Sequence, residues 1–589
     1  MGHFRDYAVH IASGAVDTPI TIEAPERDAS HAAGLGLAAL APPALAACGG
    51  GGGGTSEQAS VSDAQASRFL LQAQFSASDA EIASVRSLGY AQWIESQMVK
   101  SSGVLGWDWL NAQGYGDANS PSNFYDNTTP GDYMVWSQLM AAPDAARKRM
   151  ALALSEIFVV SLTGLNFNWR SHAAAHYWDT LNTHAFGNYR ELLGAITLNV
   201  AMGYYLNTKG NKKASGGSQP DENYARELMQ LFTIGLVELN QNGTPKLDSS
   251  GNKTDTYGAS DVSNLAQVLT GYELDMTGNV NTPIAQTGGG TRNIPSTTFT
   301  RLPLVQLGNN HAPQASTFLG ITIPAVSVPT ADSAAQGLNT ALDRLFTHSN
   351  TAPFICKQLI QRLVTSNPSP AYVQRVAHVF DNNGAGVRGS LGHVYAAILL
   401  DDEARGPTGL SDPQFGKLRE PMLRLVQWGR TFGAASAAGT WKIGDLSNAG
   451  TQLGQSPLRS PSVFNFFRPG YVPPSSALAA GAVAPEFQLV NESSVGGYLN
   501  YLQSVIANGI NAGDIRASYV TELALVADSA ALLKRLNLLL CAGQLSAPSQ
   551  SLILTALNAM AVGTDVQKRN RVYAGVLMVM ASADYLVQK

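Results

Sequence analysis

The sequence predicts a mainly α-helical protein, a multi-helix globular array with irregular loop inserts and at most short strands. Apolar residues make up 45% of the 589-residue chain and charged residues only 14%, which is typical of a globular protein with a large core. Successive segments between residues 66 and 587 have apolar residues at helical spacing, and most begin with Asp, Ser or Asn. No internal repeat of about 20–50 residues is visible, so a solenoid is not expected.

The first 47 residues predict a lipoprotein-type signal peptide. The apolar stretch AAGLGLAALAPPALAAC ends at Cys48, and residues 45–48 resemble a bacterial lipobox. The resemblance implies cleavage before Cys48, lipid attachment to its thiol and export to the cell envelope, where the lipid anchors the protein to a membrane. Acidic residues occupy the positions of the expected basic segment, so the true start is predicted downstream of Met1. The alternative is an Ala-rich segment with a chance cysteine.

The remaining chain is predicted to have four parts. Residues 48–65 are rich in Gly and Ser and predict a flexible tether. Residues 66–274 predict an N-terminal helical region, and residues 275–330, rich in Thr, Gly, Pro and Asn, predict a loop-rich insert. Residues 331–587 predict a C-terminal helical region with an irregular segment at 431–495.

Composition and missing motifs exclude several functional classes. The formal net charge of −5 and the absence of a basic stripe argue against nucleic-acid binding. The sequence has no GxSxG, HExxH, Walker A loop or GxGxxG after a strand, which disfavours an α/β-hydrolase, a zinc protease and a nucleotide-binding enzyme. Cys356 and Cys541 stand in apolar helical stretches, where export permits a disulfide and burial permits two free thiols.

Residues 220–236, PDENYARELMQLFTIGL, predict a capped helix with a candidate catalytic carboxylate at the edge of its apolar face. Asp221 suits the N-cap, and Gly235 suits the C-terminal stop. At 100° per residue, Tyr224 and Leu228 share the apolar face, and Glu227 falls at the edge of that face. A carboxylate in this position is partly desolvated and needs a partner.

Glu227 is therefore a candidate general acid or base, because desolvation raises a carboxyl pKa. Arg226 is a candidate for binding an anionic or sugar-derived group, and Glu222 pairs with it at i, i+4. His311, in the loop GNNHAPQ, is predicted to approach this helix and complete the catalytic group. Asn223 is a candidate substrate-binding residue. The alternative is a structural ion pair or hydrogen bond at Glu227 and a surface position for His311.

The segment SHAAAHYWDTLNTHAF carries His172, His176 and Asp179 at i, i+4 and i+7, on one helical face. Its apolar residues fall on the opposite face, so the trio is expected to face solvent or a cleft. Two imidazoles and one carboxylate suit Zn²⁺ or Fe²⁺, and a divalent metal there would activate a water for hydrolysis. The alternative is an ordinary polar helix face.

The segment SPLRSPSVFNFFRPGYVPP places Arg459 and Arg468 among several aromatic residues. Clustered aromatics with Arg suit a glycan-binding wall, so both arginines are candidate substrate-binding residues. The alternative, which the proline content favours, is a loop braced by prolines and packed on the core.

Four segments together resemble the family called domain of unknown function 1800, over roughly residues 66–587. They are AFGNYRELLGAITLNVAMGYYLN, DENYARELMQLFTIGL, NTAPFICKQLIQRLVTSNPSPAYVQRVAHVF and GQSPLRSPSVFNFFRPGYVPP. The resemblance implies a mostly helical, exported bacterial protein with no established activity. It also implies a partner from a second family that looks phosphatase- or sulfatase-like. Many members have His-Pro where Asn199 and Val200 stand and His where Phe232 stands. If those positions carry chemistry in other members, this chain lacks part of it.

Two functional hypotheses follow. The first, which we favour from the sequence, is a hydrolase acting on an envelope or extracellular polymer through Glu227 and His311 or through a metal. The second is a non-catalytic binding or assembly protein that presents its irregular segments to a glycan or an envelope protein. The enzyme requires Glu227 and a His or Arg to converge on an open pocket.

Overall fold

The computed structural model describes residues 61–286, 288–476, 478 and 481–589. Cys48, the predicted signal peptide and most of the predicted tether lie outside the described residues. The described residues form 23 α-helices and ten short strands, which confirms the mainly α-helical class.

Helices up to residue 268 carry the first half of the core. They are α1 Asp63–Ala73, α2 Asp79–Met98, α3 Gly106–Ala112, α4 Thr129–Ala141, α5 Ala145–Ser155, α6 Arg170–His184, α7 Tyr189–Thr197, α8 Val200–Tyr205, α9 Asn223–Gln230 and α10 Ala259–Val268.

Helices after residue 330 carry the second half. They are α11 Ala331–Thr347, α12 Thr351–Leu363, α13 Pro370–Asp381, α14 Leu391–Leu400, α15 Asp402–Arg405, α16 Thr408–Ser411, α17 Pro421–Thr431, α18 Glu492–Asn508, α19 Val520–Ala524, α20 Ser529–Cys541, α21 Ala547–Asn558, α22 Asp565–Ala581 and α23 Ala583–Leu586.

The strands pair only two by two, in antiparallel fashion. They are β1 Tyr272–Glu273, β2 Asn281–Ala285, β3 Thr291–Pro295, β4 Val305–Gln306, β5 Ser316–Phe318, β6 Ile321–Ile323, β7 Lys417–Leu418, β8 Ala435–Ser436, β9 Ile515–Arg516 and β10 Val587–Gln588. The predicted insert at 275–330 contains the β2–β3 hairpin and the β5–β6 pair. The β1–β4 pair ties this insert to the chain that follows α10.

The first helix begins inside the predicted tether. Ser62 accepts the N–H of Gln65, and the Gln65 side chain accepts the N–H of Ser62, so a capping box fixes the start at Asp63. The tether prediction, which extended to residue 65, is therefore too long. Within α2 the backbone turns at Gly89, whose φ of 75° is easily reached only by glycine.

The core centres on α6, which packs against α3, α4, α5, α7 and α8. Trp178 and Tyr177 on α6 are fully buried. Because helices cover α6 on several sides, its apolar positions and also the polar residues His172, Asp179 and Asn182 are buried.

The second half closes around α20, which packs against α21 and α22 and also against α1. The strands β7 and β10 pair in register, Leu418 with Val587 and Lys417 with Gln588. Cys356 and Cys541 are buried free thiols, which decides between the two alternatives for the cysteines. No helix among the described residues is both long and apolar enough to cross a bilayer.

Candidate functional site

The helix α9 places Glu227 where the sequence predicts it, at the edge of a buried face. Its start differs: α9 begins after Glu222, and Asp221 instead accepts the backbone N–H of Asn223 at 2.8 Å in a turn before the helix. Gly235, with φ of 70°, follows the helix as its stop. A Cβ at Gly235 would lie 2.7 Å from the Phe354 ring, so this turn requires glycine.

Glu227 is 7% exposed, and its Oε2 has no hydrogen-bond partner among the described residues. Burial raises the pKa of Glu227 to about 7, and the charge of Arg226 offsets only part of that effect. The Glu227 charge also adds to the burial that raises the pKa of Tyr205 to about 12. At neutral pH Glu227 is thus close to half protonated and able to give or take a proton.

The neighbouring charges do not neutralise Glu227. Arg226 Nη2 binds Glu222 Oε2 at 3.0 Å, and both side chains are about one third exposed. The pair therefore lies on the outer face of α9, where such pairs contribute about 0.2–0.5 kcal/mol. Asn223, in the first turn, is half-buried and engages Asp221 through its backbone.

His311 is buried rather than on the surface, and it anchors a loop. Its Nδ1 lies 2.9 Å from the Thr270 carbonyl oxygen, and burial lowers the imidazole pKa. Asn211 connects the end of α10 to the turn before α9, because its Nδ2 donates to the carbonyl oxygens of Leu269 and Asp221. The described contacts thus connect His311 and α9 through intervening loops, and no hydrogen bond joins His311 to Glu227 within the described residues.

Two of the three predicted metal ligands, His172 and Asp179, are buried rather than open to solvent, so that part of the prediction is wrong; His176 is partly exposed. Asp179 caps α3, where its two carboxylate oxygens accept the N–H groups of Gly106 at 2.6 Å and Trp107 at 2.9 Å. His172 is 1% exposed and lies edge-on between the rings of Trp107 and Trp169. The physical reason is that α3 covers the polar face of α6.

Burial also sets the charge of these histidines. It lowers the pKa of His172 to about 3 and, together with Arg301, the pKa of His176 to about 4. His176 Nδ1 lies 3.3 Å from the Asn199 amide nitrogen. Among the described residues no group of three His, Cys, Asp or Glu side chains is arranged to hold a metal ion. In this geometry His172 packs against aromatic rings and Asp179 caps α3.

Arg459 is committed to a buried acid and is not free to bind a substrate. Its Nε and Nη2 bind the two oxygens of Asp132 at 2.8 and 2.6 Å, and Asp132 is 1% exposed. Burial raises the pKa of Asp132 to about 6 even though Arg459 lowers it. The loop is thus fastened to α4, as the alternative interpretation expected. Arg468 is exposed and lies over the Phe464 ring.

Replacing Arg459 with Lys keeps the charge and removes the two-point contact with Asp132. We expect the free energy of unfolding to fall by about 2 kcal/mol, because a charged hydrogen bond to a buried carboxylate is lost. Urea denaturation measures the change. Arg468→Lys, in the same loop but exposed, is expected to change stability by less than about 0.5 kcal/mol. Equal losses in both variants would contradict a special role for the Arg459–Asp132 pair.

Sequence reasoning missed a buried charge cluster, which consists of Arg149, Glu156, Arg362, Lys417, Glu420 and Glu486. Lys417 Nζ lies 3.4 Å from Glu420 and 3.2 Å from Glu486, and Arg362 Nε lies 3.4 Å from Glu156. All six side chains are almost fully buried. A clue was available in the segment MALALSEIFVVSL, where Glu156 interrupts an apolar run, but its partners come from distant segments.

The cluster shifts the pKa values of its two carboxyl groups Glu156 and Glu420 in opposite directions. Burial and then Glu420 raise the pKa of Glu156 well above its usual range. Burial also opposes ionisation of Glu420, but Lys417 and the hydrogen bond from Gln455 help to outweigh it, so the Glu420 pKa is lowered. Burial thus favours the protonated form of Glu156 and these contacts favour the ionised form of Glu420, while the Glu156 carboxyl oxygens have no hydrogen-bond partner among the described residues. A cavity of about 10 Å³ beside Glu156, lined also by Ser456 and Asn465, admits one water molecule.

The family follows from the chain as a whole, since one family model matches residues 68–587. The chain belongs to the family described as a protein of unknown function, DUF1800. The predicted family is confirmed, while the lipid anchor of this member stays a prediction. No curated protein and no solved structure matches this chain.

A larger cavity of this DUF1800 member lies in the C-terminal half and has a volume of about 280 Å³. It lies between α17, α18 and the ends of α22 and α23. Its lining is mostly apolar and includes Leu453, Phe487, Val495, Leu499 and Leu586. Neither Glu227 nor His311 lines it, so the predicted catalytic residues and this cavity are separate.

Proposed function

We propose that this DUF1800 member is a non-catalytic binding protein of the cell envelope that holds an apolar group in its C-terminal cavity. The cavity of about 280 Å³ is the observation that carries the proposal. Small-molecule sites are typically concave, mostly apolar and about 300–1,000 Å³ in volume, so this cavity is at the small end of that class. The lipobox-like residues 45–48 support export, and the lipid on Cys48 would hold the protein at a membrane.

The arrangement of the predicted catalytic residues favours binding over catalysis. An enzyme of the predicted kind needs Glu227 to meet a His or Arg in an open pocket. Instead, Arg226 pairs with Glu222, and His311 is fixed to Thr270. Arg459, a candidate for the substrate site, is bound to Asp132.

A second candidate function is hydrolysis of an envelope polymer through Glu227. The specific observation in its favour is the buried Oε2 without a hydrogen-bond partner, since an unpaired buried carboxyl is costly and is often retained for use. This candidate requires an activity on envelope polysaccharide with an inflection near the Glu227 pKa of about 7, which Glu227→Gln removes.

The binding proposal is tested with an uncharged apolar probe, octanol, added to the full chain. We expect saturable binding at one site, measured by isothermal titration calorimetry, because octanol removes its chain from water in the cavity. Val495→Trp is expected to abolish binding, because Val495 lines the cavity and a larger ring fills its mouth.

Val566→Trp is the matched control. Val566 is 57% exposed and Val495 50% exposed, and each lies near the start of a helix, but only Val495 lines the cavity. The control should bind octanol as the wild type does. Absence of saturable binding to the wild type, or equal loss in both variants, would overturn the proposed function.

A further inference from the structure

Arg424 is the only charged residue in the lining of the large cavity among the described residues. It lies on α17 and is 6% exposed. Its Nε donates to the Arg419 carbonyl oxygen at 2.7 Å, and its Cζ lies 4.7 Å from the centre of the Tyr498 ring. These contacts fix the guanidinium in place and leave its charge without a counter-charge.

Arg419 is a second buried cation near Arg424 and adds to the uncompensated positive charge. Arg419 is also 6% exposed, and its Nη1 donates to the carbonyl oxygens of Leu540 and Tyr585. Burial and the charge of Arg424 both lower the pKa of Arg419. Within the described residues neither arginine forms an ion pair with an Asp or Glu, whereas Lys417, a few residues earlier, is paired with two glutamates.

The surroundings offer one more unsatisfied polar group. The Tyr585 hydroxyl is fully buried and has no hydrogen-bond partner among the described residues. Burial raises the pKa of Tyr585, and the charges of Arg419 and Arg424 both act to lower it. Buried cations are normally paired, so Arg424, the charged residue of the described lining, lacks a counter-charge, and neither Arg419 nor Tyr585, which do not line the cavity, supplies one.

We propose that the cavity binds a single-chain fatty carboxylate, whose carboxylate pairs with Arg424 and whose acyl chain contacts the apolar lining. This inference rests on the proposed binding function and specifies the ligand. The guanidinium suits a carboxylate because its N–H groups match two oxygens at once. The volume of about 280 Å³ favours a narrow medium-length chain over a lipid with two chains.

The experiment compares octanoate with octanol at mildly alkaline pH, where octanoate is ionised. We expect the wild type to bind octanoate at least about tenfold more tightly than octanol, because only octanoate supplies the missing charge. Arg424→Gln is expected to lose about tenfold in octanoate affinity and to bind octanol within about twofold of the wild type. Calorimetry measures both affinities, and circular dichroism checks the fold.

Arg430→Gln is the matched control, because Arg430 lies on the same helix, also donates to backbone carbonyls and does not line the cavity. It should keep the preference for octanoate. If the wild type binds octanol but prefers octanoate by less than about twofold, the inference is wrong and the binding function stands. If neither ligand binds, both are wrong. Tighter binding of an apolar peptide with a free C-terminal carboxylate than of octanoate would also overturn it.

Discussion

Replacing Lys417 with Met is expected to lower the free energy of unfolding by about 3–5 kcal/mol, the cost of breaking a buried ion pair from one side. Lys417 is fully buried and lies within ion-pair distance of Glu420 and Glu486. It also donates to the Arg362 carbonyl oxygen at 2.8 Å. Met fills a similar volume but removes the one cation within ion-pair distance of both Glu420 and Glu486 among the described residues.

Urea denaturation of the full chain measures the loss. Lys568→Met is the matched control, because Lys568 pairs with Asp565 at 3.1 Å at the surface, where the side chains are 42% and 81% exposed. Such surface pairs contribute about 0–1 kcal/mol. If the two Lys→Met variants lose similar stability, the charge cluster does not stabilise the core as its geometry indicates.

Glu227→Gln is expected to stabilise the protein at alkaline pH by about 3 kcal/mol and to change little in acid. Folding raises the Glu227 pKa from its ordinary value of 4.5 to about 7, and each pKa unit corresponds to about 1.4 kcal/mol. Below the unfolded pKa of 4.5 the carboxyl is protonated in both states, so the folded state bears no penalty. As pH rises from about 4.5 toward 7, ionisation of Glu227 increasingly favours the unfolded chain, because the folded protein must ionise a buried group. The resulting loss of unfolding free energy reaches its full value above about pH 7.

The measurement is the unfolding free energy of wild type and variant across this pH range. Glu222→Gln is the control, because Glu222 stands directly before the same helix, is partly exposed and is ion-paired with Arg226. The difference in unfolding free energy between wild type and Glu227→Gln should increase as pH rises. The corresponding difference for Glu222→Gln should not increase in this way. A pH-independent effect of Glu227→Gln would show that burial does not perturb this carboxyl.

Local patterns predicted the fold class and the setting of Glu227. Helical spacing of apolar residues follows from the geometry of one turn, so the succession of helices and the edge position of Glu227 on α9 were available from the sequence. The stop at Gly235 was also predictable, because glycine is favoured just after a helix, and its φ of 70° agrees with that preference.

Contacts between distant segments could not be predicted in the same way. The trio His172, His176 and Asp179 occupies one face of α6, but only the fold shows that α3 covers that face and uses Asp179 as its cap. The charge cluster likewise joins helices α5 and α12 to residues 417–420 and 486. A single sequence carries the individual charges and gives no indication of which of them meet.

The pairing of β7 with β10 and the packing of α1 on α20 have a consequence for the nascent chain. Residues 417–418 can pair as a strand only after residues 587–588 have been synthesised, and α1 can pack only after α20 has been synthesised. Apolar surface therefore stays uncovered during synthesis. Closing such long loops is entropically costly and slow. The growing chain is therefore expected to depend on chaperones until its last helices emerge.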